Sequence, residues 1–499
     1  MSKRYIFNSF IWGMAAKIFD AAVKFISVPL LLSYFGEGDF GLITLATSVN
    51  AYIQLLDMGV NTGAIKFFSE WIASRRMDLL DTTARTSITF YGIVGIINAL
   101  VLIGVALFGM TMFSVTPHQS EVLKILFLIL SLFAILNWST SVFSQLLTAN
   151  HDIKYIQKVN LVKTVLNFII IYMTMWFKLN IEIYFVLFCI TNSFIVIPYY
   201  IKSKKSGLIS GCWPKRDWAH FSIIFKYSMA LMAMGVFQMS ATKLRPVILG
   251  VFSKDTTRML TEYRILETIT LFIISIGGMF ISILLPMTSK LTLEGVQEKI
   301  NAFAYKTTLF TTVICTFLCI PFVVGGREIL ELYVGAKYAS LYPWLVTWVL
   351  TILLFLHNSP IASLVLSTGK IRMLVFSSAI SCTVSLVINA WGVRYLGVGS
   401  AILGYAIYIL IQVSFYYFYF NKEVLRIDSL QVFRSFCIPA LLGALMAVVT
   451  IMFSLSFKTL LVNLFAKVTV WFILYTASLL IFRILKIGDL KDMLMKKAI

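Results

Sequence analysis

FNSFIWGMAAKIFDAAVKFISVPLLLSY, residues 7–34, is long and apolar enough to cross a bilayer as one helix. Three charges interrupt it: Lys17, Asp20 and Lys24. Each costs about 2.5–3.5 kcal/mol at the centre of a spanning helix. Spacings of three and then four residues put all three on one helical face. That face has to look at another helix or at a wet cavity, because lipid tails offer it no partner. Lys17 lies roughly 15 Å into the span, beyond easy snorkelling to the interface. Pro29 removes a backbone donor from the same span and predicts a kink there.

The rest of the chain repeats this apolar character. Of its 499 residues, 59% are hydrophobic and 13% charged, a balance that a water-soluble fold could not bury. The composition defines an all-α, polytopic membrane protein. Hydropathy gives about fourteen spans, from 7–34 and 40–67 at the start, through 220–252 and 263–288, to 433–456 and 461–482 at the end. The net charge is +20. No soluble basic domain exists to carry a nucleic-acid site, so nucleic acid is excluded as a partner. The charge is assigned to cytoplasmic loops and to an acidic ligand within the membrane. The six cysteines fall mostly inside spans and make neither a disulfide framework nor a complete zinc site. The first span is too long for a signal-peptide core and is expected to be retained.

Loop charges alternate. One side receives Arg75, Arg76, Arg85, Lys154, Lys158, Lys202, Lys204, Lys205 and many others, together with the basic chain ends. The opposite side receives only Lys178, Lys254, Arg258, Arg327, Lys337, Arg394 and Lys458. This bias places both termini in the cytoplasm and requires an even number of spans. The longest connection, 202–219, contains Gly207, Gly211 and Pro214. It divides the chain into a six-helix bundle over 1–205, a second over 206–425, and two added helices with a tail over 426–499. Sliding the chain by 218 residues puts Ile6 and Phe7 on Ile224 and Phe225, Phe19 on Phe237 and Leu31 on Leu249, and Pro29 falls one residue from Pro246. Matching interrupted helices in two halves point to a transport site. Six spans per half gives both halves the same orientation, with a pseudo-twofold axis along the membrane normal.

Enzyme constellations are missing from the sequence. The four histidines, His118, His151, His220 and His357, form no paired-histidine motif. There is no phosphate-cradling glycine loop or nucleophile elbow. Neither a metal site nor a cofactor is expected, and the chain reads as a non-enzyme. Charge at depth stands out instead: Lys17, Asp20 and Lys24 in the first span, Asp57 in the second with Asn50 and Gln54 before it, Lys163 in the fifth, Lys243 and Arg245 in the seventh, and Arg264 and Glu267 in the eighth. Lys17, Lys24, Lys243, Arg245, Arg264, Asn50 and Gln54 are the candidate substrate-binding residues of a cationic cavity between the halves. Asp20, Asp57 and Glu267 are the candidates for ion coupling. Plainer roles compete: Lys66 and Lys163 can snorkel, Arg264 and Glu267 can be a helical ion pair, and Asp20 can simply neutralise its two lysines.

Several stretches resemble the Wzx-type polysaccharide flippases of the multidrug/oligosaccharidyl-lipid/polysaccharide (MOP) superfamily. They are YFGEGDFGLITLA at 34–46, LLDMGVNTGAIKFFSE at 55–70, ILLPMTSKL at 283–291 and ELYVGAKYASLYPWL at 331–345. The resemblance, including span number and order, covers most of the chain. It implies a multi-pass protein of the bacterial inner membrane. Such a protein moves an undecaprenyl-pyrophosphate-linked oligosaccharide to the periplasmic leaflet for O-antigen or lipopolysaccharide biosynthesis. Membrane lipids, a polysaccharide polymerase and a chain-length regulator are the partners it implies. Asp57 matches the second of these stretches, whereas the Lys17–Asp20–Lys24 set matches no family signature and rests on its physics. Other readings are a lipid II flippase of the same plan, a drug exporter of the same superfamily, and a membrane glycosyltransferase or ligase. An exporter of cationic drugs calls for a carboxylate-rich cavity, and a transferase for a large extramembrane loop. Neither is found here.

Overall fold

The computed structural model describes residues 3–53, 57–281, 284, 288, 291–292, 294–368, 372–453, 457, 459–482 and 484. Among these the chain is helical nearly throughout, and no strand occurs. In order the helices are α1 (Lys3–Ile53), α2 (Asp57–Ala73), α3 (Met77–Phe108), α4 (Pro117–Ala149), α5 (Ile153–Trp176), α6 (Ile181–Phe194), α7 (Val196–Lys205), α8 (Trp218–Phe252) and α9 (Thr256–Ile281). There follow α10 (Gln297–Val324), α11 (Gly326–Val334), α12 (Tyr342–His357), α13 (Ser359–Ser367), α14 (Arg372–Leu396) and α15 (Gly399–Phe415). A π-helical segment, Tyr416–Val424, leads to α16 (Ser429–Met452) and α17 (Leu460–Ile481).

Eleven helical stretches among the described residues are long and apolar enough to span a membrane. The first of them contains a break, because Gly36 has φ 76° and ψ 176°. Only glycine reaches that backbone region cheaply, and the break falls on the outer turn expected between the first two spans. Backbone angles stay helical through Pro29, so the interruption of α1 sits at Gly36 and not at the proline. α8 and α9, of 35 and 26 residues, supply two further long helices. The expected number and order of spans is therefore accounted for. Several helices begin earlier than hydropathy suggests: α3 starts at Met77 and α10 at Gln297. Backbone hydrogen bonding continues past the hydrocarbon, whereas hydropathy marks only the apolar part.

The chain forms two compact units, Met1–Thr268 with Ser378–Ala401, and Ile269–Ser377 with Ile402–Ile499. The first has an aromatic core around Phe68, Trp71, Tyr91, Trp138 and Phe143. Gln145 donates to the buried Tyr91 hydroxyl at 2.8 Å, which gives that hydroxyl a partner away from water. In the same unit Gly41 lets α1 meet α9: a Cβ there would lie 2.7 Å from the Cα of Thr257. Thr261 then donates to the Glu37 carbonyl at 2.8 Å, tying α9 to the residue after the Gly36 break.

The second unit packs Trp471 and Tyr475 of α17 against α10 and α16. The Trp471 indole N–H donates to the Gly443 carbonyl at 3.1 Å and the Tyr475 hydroxyl to the Pro439 carbonyl at 3.2 Å. Gly443 has no room for a side chain, because a Cβ would run into Thr316. Lys467 of α17 pairs with Glu328 of α11, both largely buried. The Lys467–Glu328 pair has no counterpart in the sequence reading.

Candidate functional site

The charges at depth gather into two clusters, both within the first unit. The first lies where α1 meets α5. The Lys24 ammonium is 2.7 Å from an Asp20 carboxylate oxygen, one helical turn away. The Thr164 hydroxyl of α5 donates to the other Asp20 oxygen at 2.8 Å. Lys163 of α5 interacts electrostatically with both Lys24 and Asp20. Asp20 is thus a junction between two helices as well as a neutraliser. Lys24 is exposed, with 65% of its side chain accessible, and Lys17 is also exposed. Both cations therefore remain uncovered by protein.

The second cluster lies on α8 and α9. Arg245 precedes Pro246, whose missing N–H leaves the carbonyl four residues earlier without its helical donor. The Arg245 side chain is buried, and its guanidinium lies 5.9 Å from the ring centroid of the buried Tyr263. This is within cation–π range. The Arg264 guanidinium donates to Glu267 at 2.7 Å, three residues along α9. Lys243 and Arg245 act electrostatically on the same Glu267 carboxylate. Three cations therefore share one carboxylate. Tyr184 of α6 feels the Arg264 charge, and buried Asn389 of α14 donates to the Arg245 carbonyl at 3.5 Å. Ser400 donates in turn to the Asn389 carbonyl oxygen at 3.1 Å.

The structure brings Lys17, Asp20 and Lys24 together on α1, and Lys243, Arg245, Arg264 and Glu267 together at α8 and α9. Asn50 is half-buried near the end of α1. Gln54 lies outside the described residues. Asp57 opens α2, but its side chain lies outside the described set. Of the remaining charges at depth, Lys66 is exposed, with its ammonium 5.3 Å from the Phe67 ring centroid. Tyr184, Tyr263, Asn389 and Thr164 were not singled out in the sequence. Each is a neutral polar residue in an apolar span, and only the fold shows that it meets a charge or its carbonyl. No group of three or more histidine, cysteine or acidic side chains suited to a metal ion occurs among the described residues.

The helical plan is that of solved lipid II flippase and multidrug transporter structures, and the chain is a multi-pass membrane protein with that fold. A family model described as MatE matches residues 13–173. A structure of the lipid II flippase MurJ in an inward closed conformation superposes with a TM-score of 0.74 at 13% identity, covering 95% of this chain and 99% of that one. An inward-facing multidrug resistance MATE transporter of the MOP superfamily gives 0.66 at 12% identity, covering 79% and 92%. A MOP transporter from Pyrococcus furiosus, described as having a binding pocket of reversed polarity, gives 0.56 at 12% identity, covering 89% and 95%. A search of curated protein sequences finds no significant match.

Proposed function

We propose that this protein is a flippase that moves a lipid-diphosphate-linked oligosaccharide across the bacterial inner membrane by alternating access, with both termini in the cytoplasm. The observation that carries this reading is the surplus of cations over carboxylates at α8 and α9, where Lys243, Arg245 and Arg264 surround Glu267. A diphosphate is the natural counterion for such a surplus. Charge-assisted bonds from guanidinium and ammonium groups are roughly twice as strong as neutral ones and gain further in a low dielectric. Lys17 and Lys24 on α1 supply a second, accessible set of cations. A drug exporter of the same fold, built for cationic cargo, would place carboxylates where this chain places lysine and arginine.

In this reading Lys17, Lys24, Lys243, Arg245 and Arg264 hold the diphosphate. Asn50 and Gln54 contact the glycan, and Asp20, Asp57 and Glu267 exchange partners or protons during the cycle. The undecaprenyl type of lipid, and a role in O-antigen or lipopolysaccharide assembly beside a polymerase and a chain-length regulator, belong to the same proposal. The test is a surface-glycan profile of a strain lacking the gene, complemented in turn with Lys17→Ala, Lys24→Ala, Lys243→Ala and Arg245→Ala. Each variant is expected to reduce export at unchanged membrane abundance, and Lys17→Arg or Lys24→Arg should retain part of it. Normal export by all four alanine variants would show that these residues are structural pairs.

A second reading, a lipid II flippase, is favoured by one observation. The MurJ likeness covers 95% of this chain, against 79% for the MATE transporter. Rescue of cell-wall synthesis in a strain lacking its own lipid II flippase would select this reading, and rescue of surface glycan alone would select the first.

A further inference from the structure

α5 is flanked by two apolar grooves that have not entered the transport reading. On one side Ala16 and Phe19 of α1 face Leu161 and Val165 of α5 across a groove of about 300 Å³. On the other, Val162 and Leu166 face Phe194 and Pro198 across a groove of about 220 Å³. Lys158, which is exposed, lines both. Helical spacing explains the sharing. Residues 154, 158, 161 and 165 form one stripe of α5 and 158, 162 and 166 the neighbouring one, with 158 on the ridge between them. Lys154 lines the first groove one turn before Lys158, and Lys163 lines the second.

These lysines stand at the end of α5 that loop charge assigns to the cytoplasm. The carboxylates at this end have other partners. Asp152 is held by the Asn150 amide at 2.8 Å and by Lys202 at 3.8 Å, and Asp20 by Lys24 and Thr164. The two apolar grooves therefore meet at one exposed cation, Lys158. That shape suits a ligand with one anionic head and two tails. A single polyprenyl chain would fill only one channel.

We propose that an anionic phospholipid with two acyl chains sits astride α5, its phosphate on Lys154 and Lys158 and one chain in each groove. It is a resident lipid, separate from the transported one. Lysines near a membrane surface attract acidic headgroups strongly enough for two of them to set a preference of roughly tenfold or more. The apolar grooves that these lysines line hold the chains.

The experiment measures lipid binding to the purified full-length protein in detergent by native mass spectrometry, with dioleoyl phosphatidylglycerol and dioleoyl phosphatidylcholine as probes. Wild type is expected to prefer phosphatidylglycerol by about tenfold or more. Lys154→Gln/Lys158→Gln should lose most of that preference, Lys158→Arg should keep it, and Leu161→Trp should weaken both lipids by filling a groove. Three results would overturn the proposal: an unchanged preference in the double glutamine variant, equal binding of one-chain lysophosphatidylglycerol, or displacement of phosphatidylglycerol by stoichiometric undecaprenyl phosphate. The last would make the grooves a berth for the transported lipid.

Discussion

Arg245 is the residue on which the second cluster turns, since it combines burial, a ring partner and a proline in the next position. A guanidinium over Tyr263 is planar and weakly hydrated, and an ammonium is neither. Arg245→Lys should therefore keep the charge and still lose most transport, measured as initial rate of export at equal protein level. Glu267→Gln should do the opposite kind of damage. It frees Arg264 and leaves an uncompensated cation set, so substrate would bind more tightly and leave more slowly. A charged hydrogen bond is worth about 1.5–3 kcal/mol, so a change of roughly ten- to a hundredfold in release rate is expected. Elsewhere, Gly41 carries a packing constraint with no bearing on charge. A valine there meets the Thr257 backbone, which cannot turn aside as a side chain can. Gly41→Val should lower thermal stability by about 1–3 kcal/mol, read as reduced melting temperature in detergent, with the spectrum of bound lipids unchanged.

Among the elements, the connection from Ser206 to Asp217 departs most from its sequence appearance. Its glycines and proline mark it, in the sequence, only as the boundary between two halves. In the structure it is fastened along α3 at every few residues. The Ser210 N–H donates to Asp81 at 2.7 Å, Lys215 reaches the same carboxylate at 3.2 Å, and Arg85 donates to the Trp213 carbonyl at 2.7 Å. Thr89 donates to the Lys215 carbonyl at 2.6 Å, and the Asp217 N–H donates to Thr86 at 3.0 Å. Asp81 serves two of these contacts at once. Asp81→Ala should therefore raise amide exchange across 207–216 by roughly tenfold or more, as the loss of two charged hydrogen bonds implies, while exchange in the α3 core around Tyr91 stays slow. Equal protection in the variant would mean that the backbone contacts alone hold the segment.

At the scale of the whole molecule, topology was the most legible property. Span number and order follow from apolar runs and loop charge because lipid imposes one requirement on every helix. Lys178, Lys254 and Arg394 should accordingly report the periplasm in reporter fusions, and a cytoplasmic signal at two of them would overturn the orientation. The candidate site was legible only in part. Lys17, Lys24, Lys243 and Arg245 announce themselves because charge is costly at depth. Their neutral companions Tyr184, Tyr263 and Asn389 do not, since tyrosine and asparagine also serve ordinary packing in apolar spans. The choice of partner was hidden too. Glu267 stands three residues from Arg264 and could be paired off by spacing alone, yet Lys243 and Arg245 also act on it from another helix. The Gly36 break and the binding of 206–217 to α3 required coordinates, as a positive φ and a ladder of side-chain contacts leave no periodicity to read.

The fastened connection also works as a ruler. Its anchor points Ser210, Trp213 and Lys215 follow Asp81, Arg85 and Thr89, which climb α3 in steps of one turn, about 6 Å each. An extended backbone advances about 3.3 Å per residue, so the two residues from Trp213 to Lys215 match one step, and the three from Ser210 to Trp213 match one only through the bends at 210, 212 and 213. A residue added between Ser210 and Lys215 throws every later rung out of register. One added at Gly207, where φ is 69° and the first rung is not yet reached, is absorbed as slack. For anyone inserting an epitope tag or a cleavage site into this protein, a few residues in the same short loop separate a harmless scar from one that uncouples the start of α8 from α3.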